Sequence, residues 1–183
     1  MTQSGESLDE RRKRRRSGCW YPIVWRGDEL RVLVTGGGAV ATRKAGALLE
    51  AGARVTVLAP ELSEPLRRWH DSGQIEWLEG RYPGRAPALV DFALAIAATD
   101  DPAANARLAA ECRRIRLPVN RADDPESSDF VTPATVRHGE SGLTVSVFTM
   151  GRDPELSRDL RLALEEWLPR WWRQRRDKEK QDT

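Results

Sequence analysis

Cysteine and histidine are scarce in this 183-residue chain, which contains Cys19, Cys112, His70 and His138 and no others of either type. Two cysteines are too few for a disulfide framework or a thiolate metal site, and neither histidine belongs to a cluster of ligands at helical or strand spacing. We therefore predict a reduced, cytoplasmic protein with no metal site of its own.

Long apolar runs and a charge of one sign are missing as well. Every apolar segment is too short to cross a bilayer, and the N-terminus lacks the apolar core of a signal peptide, so we expect no membrane association. The chain carries 30 Lys and Arg against 28 Asp and Glu. This near balance gives no whole-molecule attraction to nucleic acid. Basic residues concentrate in residues 11–16, and we predict that residues 1–18 form a disordered basic arm without the interleaved aromatics typical of nucleic-acid binding.

What the chain does have is an apolar strand, residues 32–35, that runs directly into three glycines and a helix. A glycine at the first position allows a tight turn, and one at the third lets the backbone approach a phosphate at the positive end of the helix. The pattern predicts dinucleotide binding, against the alternative of a simple turn in another α/β protein. The candidate cofactor-binding residues here are Gly36, Gly37, Gly38, Ala39 and Val40.

Apolar strands alternate with helical segments up to residue 121. The pattern predicts strands at 31–35, 54–59, 75–78, 92–98 and 118–121, and helices at 39–51, 61–72 and 102–115. Such alternation indicates a Rossmann-like parallel sheet with helices on both faces. Thr99 follows a strand at the sheet edge where ligands bind, so we expect it beside the cofactor. Asp100 or Asp101 is expected to cap the next helix, and Thr99 can share in that turn without losing the first role.

The pattern changes after residue 122. Residues 129–137 and 143–148 predict a β-hairpin, and the helix that begins at Pro154 carries an apolar face at helical spacing, which suits dimerisation. Trp171 and Trp172 follow among arginines, and packing against a partner subunit is the simplest role for them. The predicted division is therefore a basic arm at 1–18, a nucleotide-binding domain at 19–122, a dimerisation and substrate region at 123–168 and a charged tail at 169–183.

Several ordered motifs together resemble the precorrin-2 dehydrogenase/sirohydrochlorin ferrochelatase family. The motifs are Tyr21-Pro22-Ile23, residues 36–44, 50–57 and 97–101 with Asn105, Val119-Asn120 leading to Asp123 and Pro125, and residues 130–133. The resemblance runs from about Tyr21 to Leu168. It implies a Rossmann domain that binds NAD, an intertwined homodimer, and a cleft in which the tetrapyrrole precorrin-2 is oxidised to sirohydrochlorin. Many members of the family then insert Fe²⁺ as a second substrate.

The same resemblance implies a catalytic role for Asp123, which falls on the aspartate of the family's Asn-x-x-Asp-x-Pro motif. A carboxylate there can take the proton that leaves with the hydride. Asp124 is the competing candidate, because adjacent carboxylates before a proline also make turns. A substrate covered in carboxylates requires cations. The candidate substrate-binding residues are Arg43, Lys44, Arg121, Arg137, Thr149 and Arg152.

Two features depart from the expected pattern. The loop before Pro154 carries Met150 and Arg152-Asp153 where the family has small residues, which makes it bulkier and more charged. An acid for the cofactor ribose is expected about 20 residues beyond the glycines. Those positions hold Thr56, Val57 and Leu58, with Glu61 only after Pro60, so the choice of NAD over NADP rests on the resemblance. A non-catalytic NAD-sensing module whose basic arms contact a partner or nucleic acid is the alternative function.

Overall fold

The computed structural model describes residues 20–149 and 153–181, which form two compact units. The sheet unit is Pro22–Val131. The hairpin–helix unit contains the described residues from Thr132 onward together with Trp20 and Tyr21. The basic arm predicted at 1–18 and the substrate candidate Arg152 lie outside the described residues.

The sheet unit is built on five parallel strands: β1 Arg31–Thr35, β2 Arg54–Ala59, β3 Ile75–Glu79, β4 Leu94–Ala97 and β5 Val119–Arg121. Three helices connect them: α1 Ala39–Glu50, α2 Glu64–Asp71 and α3 Pro102–Arg114. The strand order β3-β2-β1-β4-β5 reverses direction between β1 and β4. This confirms the predicted Rossmann-like parallel sheet, and the reversal is the place where such sheets bind ligands.

Alternating side chains of the strands enter two apolar cores, one on each face of the sheet. Val32 and Val34 of β1 pack with Ala41 of α1 and Leu66 of α2 on one face. Leu33, between the two valines, belongs to the opposite core with Leu108 and Cys112 of α3. Helices therefore cover both faces, as the near-continuous apolar strands predict.

The sheet unit extends past residue 122, where the sequence analysis placed the end of the domain. The backbone N–H of Asp129 donates to Val119 O (2.8 Å), and the side chain of Asn120 donates to Phe130 O (2.9 Å). These bonds hold residues 123–131 against β5. The change in sequence pattern at 122 is therefore a turn within the unit.

The hairpin–helix unit contains the strands β6 Ala134–His138 and β7 Leu143–Val147 and the helix α4 Pro154–Gln181. The strands pair antiparallel, with Val136 opposite Val145. The helix is 28 residues long and continues through Pro169, where the sequence analysis placed the start of a separate tail. A proline within a helix removes one backbone donor. The buried Leu168 and the ion pair between Arg175 and Glu179 (3.1 Å) lie on either side of this position.

Within the described ranges, no helix has the length and apolar character to cross a membrane. Nor do the residues at 20–149 and 153–181 place three or more His, Cys, Asp or Glu side chains where they would hold a metal ion.

Candidate functional site

A cavity of about 700 Å³ opens in the sheet unit at the carboxyl ends of the parallel strands. Its walls come from the loops after β1, β2, β3 and β4 and from the first turns of α1 and α3. All six residues predicted to bind the cofactor line it: Gly36, Gly37, Gly38, Ala39, Val40 and Thr99. The structure therefore brings Thr99 to the same cavity as the other five residues, although it follows them by at least 59 positions in the chain.

Two of the three glycines are required by the packing of the protein itself. Gly36 has a φ of +111°, and a Cβ there would lie 2.2 Å from Ala98 O. A Cβ on Gly37 would lie 1.8 Å from Glu61 O. Any side chain at either position would force the β1 loop away from the segment that follows β4 or β2.

Gly38 is different, because a Cβ there would meet no atom within 4 Å. Its backbone is extended (φ −89°, ψ −167°), a conformation open to any residue, and it lies at the N-cap of α1 without a side chain to cap the helix. The space beside it belongs to the cavity, and the first N–H groups of α1 are left for an anion. A phosphate of a bound dinucleotide fits this cradle, and a side chain at Gly38 would fill it.

The loop after β2 is fastened to the glycine loop. The backbone N–H of Ser63 donates to Gly37 O (2.8 Å), and the hydroxyls of Ser63 and Thr42 lie 2.7 Å apart. Thr42 also donates to Gly38 O (2.9 Å). These bonds fix the Pro60–Ser63 segment as a wall of the cavity and bring Glu61 into its lining. An acid therefore lies at the cavity even though none ends β2.

Arg81 and Tyr82 form a third part of the wall. The phenol of Tyr82 donates a hydrogen bond to Glu111 of α3. Burial and this bond raise the pKa of Tyr82, and the same bond lowers the pKa of Glu111. Sequence reasoning missed Arg81 and Tyr82 because they follow β3 in a loop without periodicity. The signal available was their position just beyond the end of a predicted strand.

Thr99 takes part in the turn that starts α3. Its hydroxyl donates to Asn105 Oδ1 (2.7 Å), and Asn105 Nδ2 donates back to Thr99 O (3.1 Å). Asp101 caps the helix by accepting from the N–H groups of Ala103 (2.8 Å) and Ala104 (3.2 Å). Thr99 therefore has the helix-capping surroundings and the place beside the cavity that the sequence analysis considered together.

Asp123 and Asp124 lie two and three residues past the end of β5, at the same edge of the sheet as the cavity but outside its lining. The two carboxylates have separate tasks. Asp124 accepts from the N–H of Ser127 (3.3 Å) and caps a short 3₁₀ turn, Pro125–Ser127. Hydrogen bonding from Ser127 lowers the pKa of Asp124. Asp123 makes no such bond to the turn, and its side chain contacts the guanidinium of Arg121.

Arg121, one of the candidate substrate-binding residues, pairs with both aspartates that follow it. Its Nη2 lies 2.7 Å from Asp123 Oδ2, and its Nε donates to Asp123 Oδ1 at 3.3 Å. Its Nη1 lies 3.2 Å from Asp124 Oδ2. The guanidinium is therefore shared between two carboxylates of the protein.

The other substrate candidates are divided between the two units. Arg43 and Lys44 lie on α1 of the sheet unit and do not line the cavity. Burial, with a smaller contribution from the charge of Arg43, lowers the pKa of Lys44 to about 8. Arg137 lies on β6 of the hairpin–helix unit.

Thr149, the remaining described candidate, belongs to the start of α4. Its hydroxyl donates to Asp153 O (2.7 Å) and lies 2.9 Å from the hydroxyl of Ser157. Asp153 in turn accepts from the N–H of Leu156 (2.8 Å). Thr149 therefore ties the two ends of the loop that precedes the helix.

Comparison with known proteins agrees with the resemblance read from the motifs. Residues 23–134 match the model of the family described as "Putative NAD(P)-binding". The chain is 40% identical over 152 residues to the siroheme synthase of Gluconacetobacter diazotrophicus, a match that covers 82% of this chain and 32% of that protein. It is 42% identical over 151 residues to the siroheme synthase of Chromobacterium violaceum, covering 82% and 31%. The chain thus spans about a third of the length of these curated relatives.

Among solved structures, the chain is similar to SirC, a precorrin-2 dehydrogenase. The TM-score is 0.65 at 27% identity, over 80% of this chain and 70% of that chain. The fold class and the family resemblance inferred from the sequence are confirmed by these matches.

Proposed function

The chain belongs to the NAD(P)-binding family whose model it matches, and on this premise we propose that it oxidises precorrin-2 to sirohydrochlorin with NAD⁺. The observation that carries the proposal is the division of labour between Asp123 and Asp124. The turn is capped by Asp124, so Asp123 is not needed for it, yet Asp123 is held in place at the edge of the sheet where the dinucleotide cradle opens. The relatives named siroheme synthase and the SirC structure support the same reaction.

The reaction removes a hydride and a proton from the substrate. When NAD⁺ is bound, it would serve as the hydride acceptor. The glycine loop and the N-terminus of α1 hold the pyrophosphate. The side chain of Asp123 accepts the proton as a general base. Arg43, Lys44 and Arg137 are proposed to bind the carboxylates of the tetrapyrrole, as are Thr149 and Arg152 at the loop before α4.

Glu61 is the proposed acceptor for the ribose of NAD. Its side chain is exposed, and it lines the cavity two residues past the end of β2. A carboxylate there accepts a bond from a ribose 2′-hydroxyl and repels a 2′-phosphate, which favours NAD over NADP.

Insertion of Fe²⁺ into sirohydrochlorin is a second step that we propose for the same cleft. The nitrogens of the macrocycle are the final ligands of the metal, so the protein has only to accept the protons that iron displaces. Asp123 is the proposed acceptor there too. We further propose a cytoplasmic location, where the buried free thiol of Cys112 stays reduced.

A second copy of the chain is the proposed partner of the hairpin–helix unit. Leu156, Leu160, Leu162 and Trp167 are each 43% to 50% exposed on α4. Large apolar side chains at this exposure on one helix are typical of an interface. Sedimentation of the purified protein is expected to give a two-chain species.

The test of the reaction compares Asp123→Asn with Asp124→Asn. The purified proteins are incubated anaerobically with precorrin-2 and NAD⁺, and both sirohydrochlorin and NADH are followed. We expect Asp123→Asn to lose at least about 100-fold in kcat, the effect of removing a general base, with NAD⁺ affinity unchanged. Asp124→Asn keeps a good capping residue and is expected to stay within about threefold of the parent.

Two outcomes contradict the proposal. Normal turnover by Asp123→Asn would remove Asp123 from the mechanism. An inactive parent protein that still binds NAD⁺ would favour the alternative of an NAD-sensing binding module. Adding Fe²⁺ after the first step tests chelation separately. If the protein inserts the metal, sirohydrochlorin is consumed faster with the protein than without it.

A further inference from the structure

We propose that Arg121 is a positioning residue that aims the carboxylate of Asp123 at the substrate. The inference rests on the proposed function, because it gives Arg121 a role only if Asp123 is the base. Sequence reasoning named Arg121 as a substrate-binding candidate, and the Asn-x-x-Asp-x-Pro motif leaves its position unspecified.

The contact between the two side chains is a two-point fork. Arg121 Nη2 meets Asp123 Oδ2 at 2.7 Å, and Arg121 Nε meets Asp123 Oδ1 at 3.3 Å. Two parallel bonds fix the plane of a carboxylate as well as its position, which one bond cannot do. The lone pairs that remain for a proton then point in set directions.

The fork is partly shielded from water. The side chains of Arg121 and Asp123 are 13% and 24% exposed. Arg26 of the same unit is also shared between two carboxylates, at 2.9 Å from Asp28 and 3.6 Å from Glu29, but its side chain is 72% exposed. Exposed ion pairs of that kind contribute little to stability. Arg26 is therefore a matched control for an arginine that pairs with two carboxylates without positioning a base.

The backbone around Asp123 does not depend on the fork. Asp124 caps the 3₁₀ turn, and Asn120 binds Phe130 O. The hydroxyl of Ser128 accepts from the N–H of Arg121 (2.8 Å). With the turn held by these bonds, the side chain of Arg121 is left to act on the two carboxylates alone.

A guanidinium also suits a neighbour of a general base because it does not give up its own proton. The bond to Asp123 raises the pKa of Arg121 further above its ordinary value. A proton taken from the substrate therefore stays on Asp123 until solvent removes it.

The test uses Arg121→Lys and Arg121→Ala in the full chain, with Arg26→Lys as the control. Lysine keeps the charge but cannot form the fork. We expect Arg121→Lys to lower kcat about 10- to 100-fold, the scale of a small misplacement of a catalytic group. The KM for precorrin-2 and the affinity for NAD⁺ are expected within twofold of the parent, and Arg26→Lys is expected to leave kcat, KM and NAD⁺ affinity unchanged.

Chemical rescue separates positioning from a structural role. We expect millimolar guanidinium, but not methylammonium at the same concentration, to restore at least a tenth of the parent kcat to Arg121→Ala. If Arg121→Ala does not fold, Arg121→Lys alone decides through its kcat.

Three outcomes overturn the inference. A kcat of Arg121→Lys within twofold of the parent shows that the fork does not matter. An increase in KM at unchanged kcat shows that Arg121 binds substrate instead. Failure of guanidinium to restore turnover to folded Arg121→Ala shows that its loss acts through structure. If the parent protein does not turn over precorrin-2, the proposed function itself fails; if Asp123→Asn is fully active, only the role of Asp123 as the base fails, and neither result needs the Arg121 variants.

Discussion

The sheet unit and the hairpin–helix unit bury their apolar residues to different degrees. In the sheet unit, Val32, Leu33 and Val34 are fully buried along one strand, and two cores lie on opposite faces of the sheet. Among the described residues of the hairpin–helix unit, Val136 and Leu168 are the buried apolar side chains. The difference teaches that the first unit contains its own core, whereas the second leaves large apolar side chains of α4 exposed, which supports the proposed contact with a second copy.

The residues to which we assign functions are divided along the same line, as proposals. The cradle for a dinucleotide, the cavity around it and Asp123 all belong to the sheet unit. The hairpin–helix unit contributes Arg137 and the helix α4, about 42 Å long from its 28 residues. We therefore expect changes in the sheet unit to alter folding and cofactor binding, and changes in α4 to alter assembly.

The largest effect is expected from an acid on the exposed face of α4. Leu160→Asp places a charge among apolar residues of the proposed dimer contact, where a central side chain contributes several kcal/mol. We expect the dissociation constant of the dimer to rise at least about 100-fold in sedimentation velocity experiments. Gln174→Asp adds the same charge at an exposed polar position of the same helix and serves as the control. A parent protein that stays monomeric at every concentration would contradict the proposed dimer contact on α4.

A second experiment separates the two uses of glycine in the sheet unit. Gly37→Ala forces a Cβ against Glu61 O, and we expect the free energy of unfolding to fall by about 1–3 kcal/mol. Gly38→Leu meets no protein atom at its Cβ, so we expect a melting temperature close to that of the parent and at least a tenfold loss of NAD⁺ affinity. Thermal denaturation without ligand and NAD⁺ titration measure the two effects. Unchanged affinity in Gly38→Leu would remove the phosphate from this position.

The smallest effect concerns pH and Lys44. Because its pKa in the folded protein is lowered to about 8 from 10.5, the unfolded chain binds more protons between these values. The stability of the parent protein therefore rises with pH across this window relative to Lys44→Met, which has no proton to lose. Denaturant unfolding is expected to show that the free energy of unfolding of Lys44→Met, relative to that of the parent, is lower at pH 9.5 than at pH 7. Arg43→Met removes the smaller cause of the lowered Lys44 pKa, so it is expected to show the same trend at a smaller size.

The sequence was sufficient to predict the sheet because its physical signals are local. Apolar strands of four to six residues separated by helix-length segments specify parallel pairing, and the glycine loop specifies which strand edge binds a ligand. Thr99 could be placed beside that ligand because it follows a strand. The resemblance to a family added Asp123, which composition and spacing alone would not single out.

What the sequence could not give depends on contacts between distant segments. The continuation of α4 through Pro169 is set by its surroundings, since a proline costs a helix one bond but does not by itself end it. The compact sheet unit continues to Val131, and the bond from Asn120 to Phe130 O that holds its last segment leaves no trace in periodicity. The ion pairs of Arg121 with Asp123 and Asp124 could not be predicted either, because nothing in a sequence shows which carboxylate a guanidinium contacts.

The open space at Gly38 has a consequence for how damaging mutations are recognised. Gly36 and Gly37 are constrained by neighbours that are always present, so substitutions there reduce the amount of folded protein. Gly38 has no protein atom near its Cβ position, and its proposed constraint is the bound cofactor, so we expect its variants to accumulate in cells as normally folded protein without function. Screens that score abundance or thermal stability would pass them as harmless, and only a screen for ligand binding or growth would detect the defect.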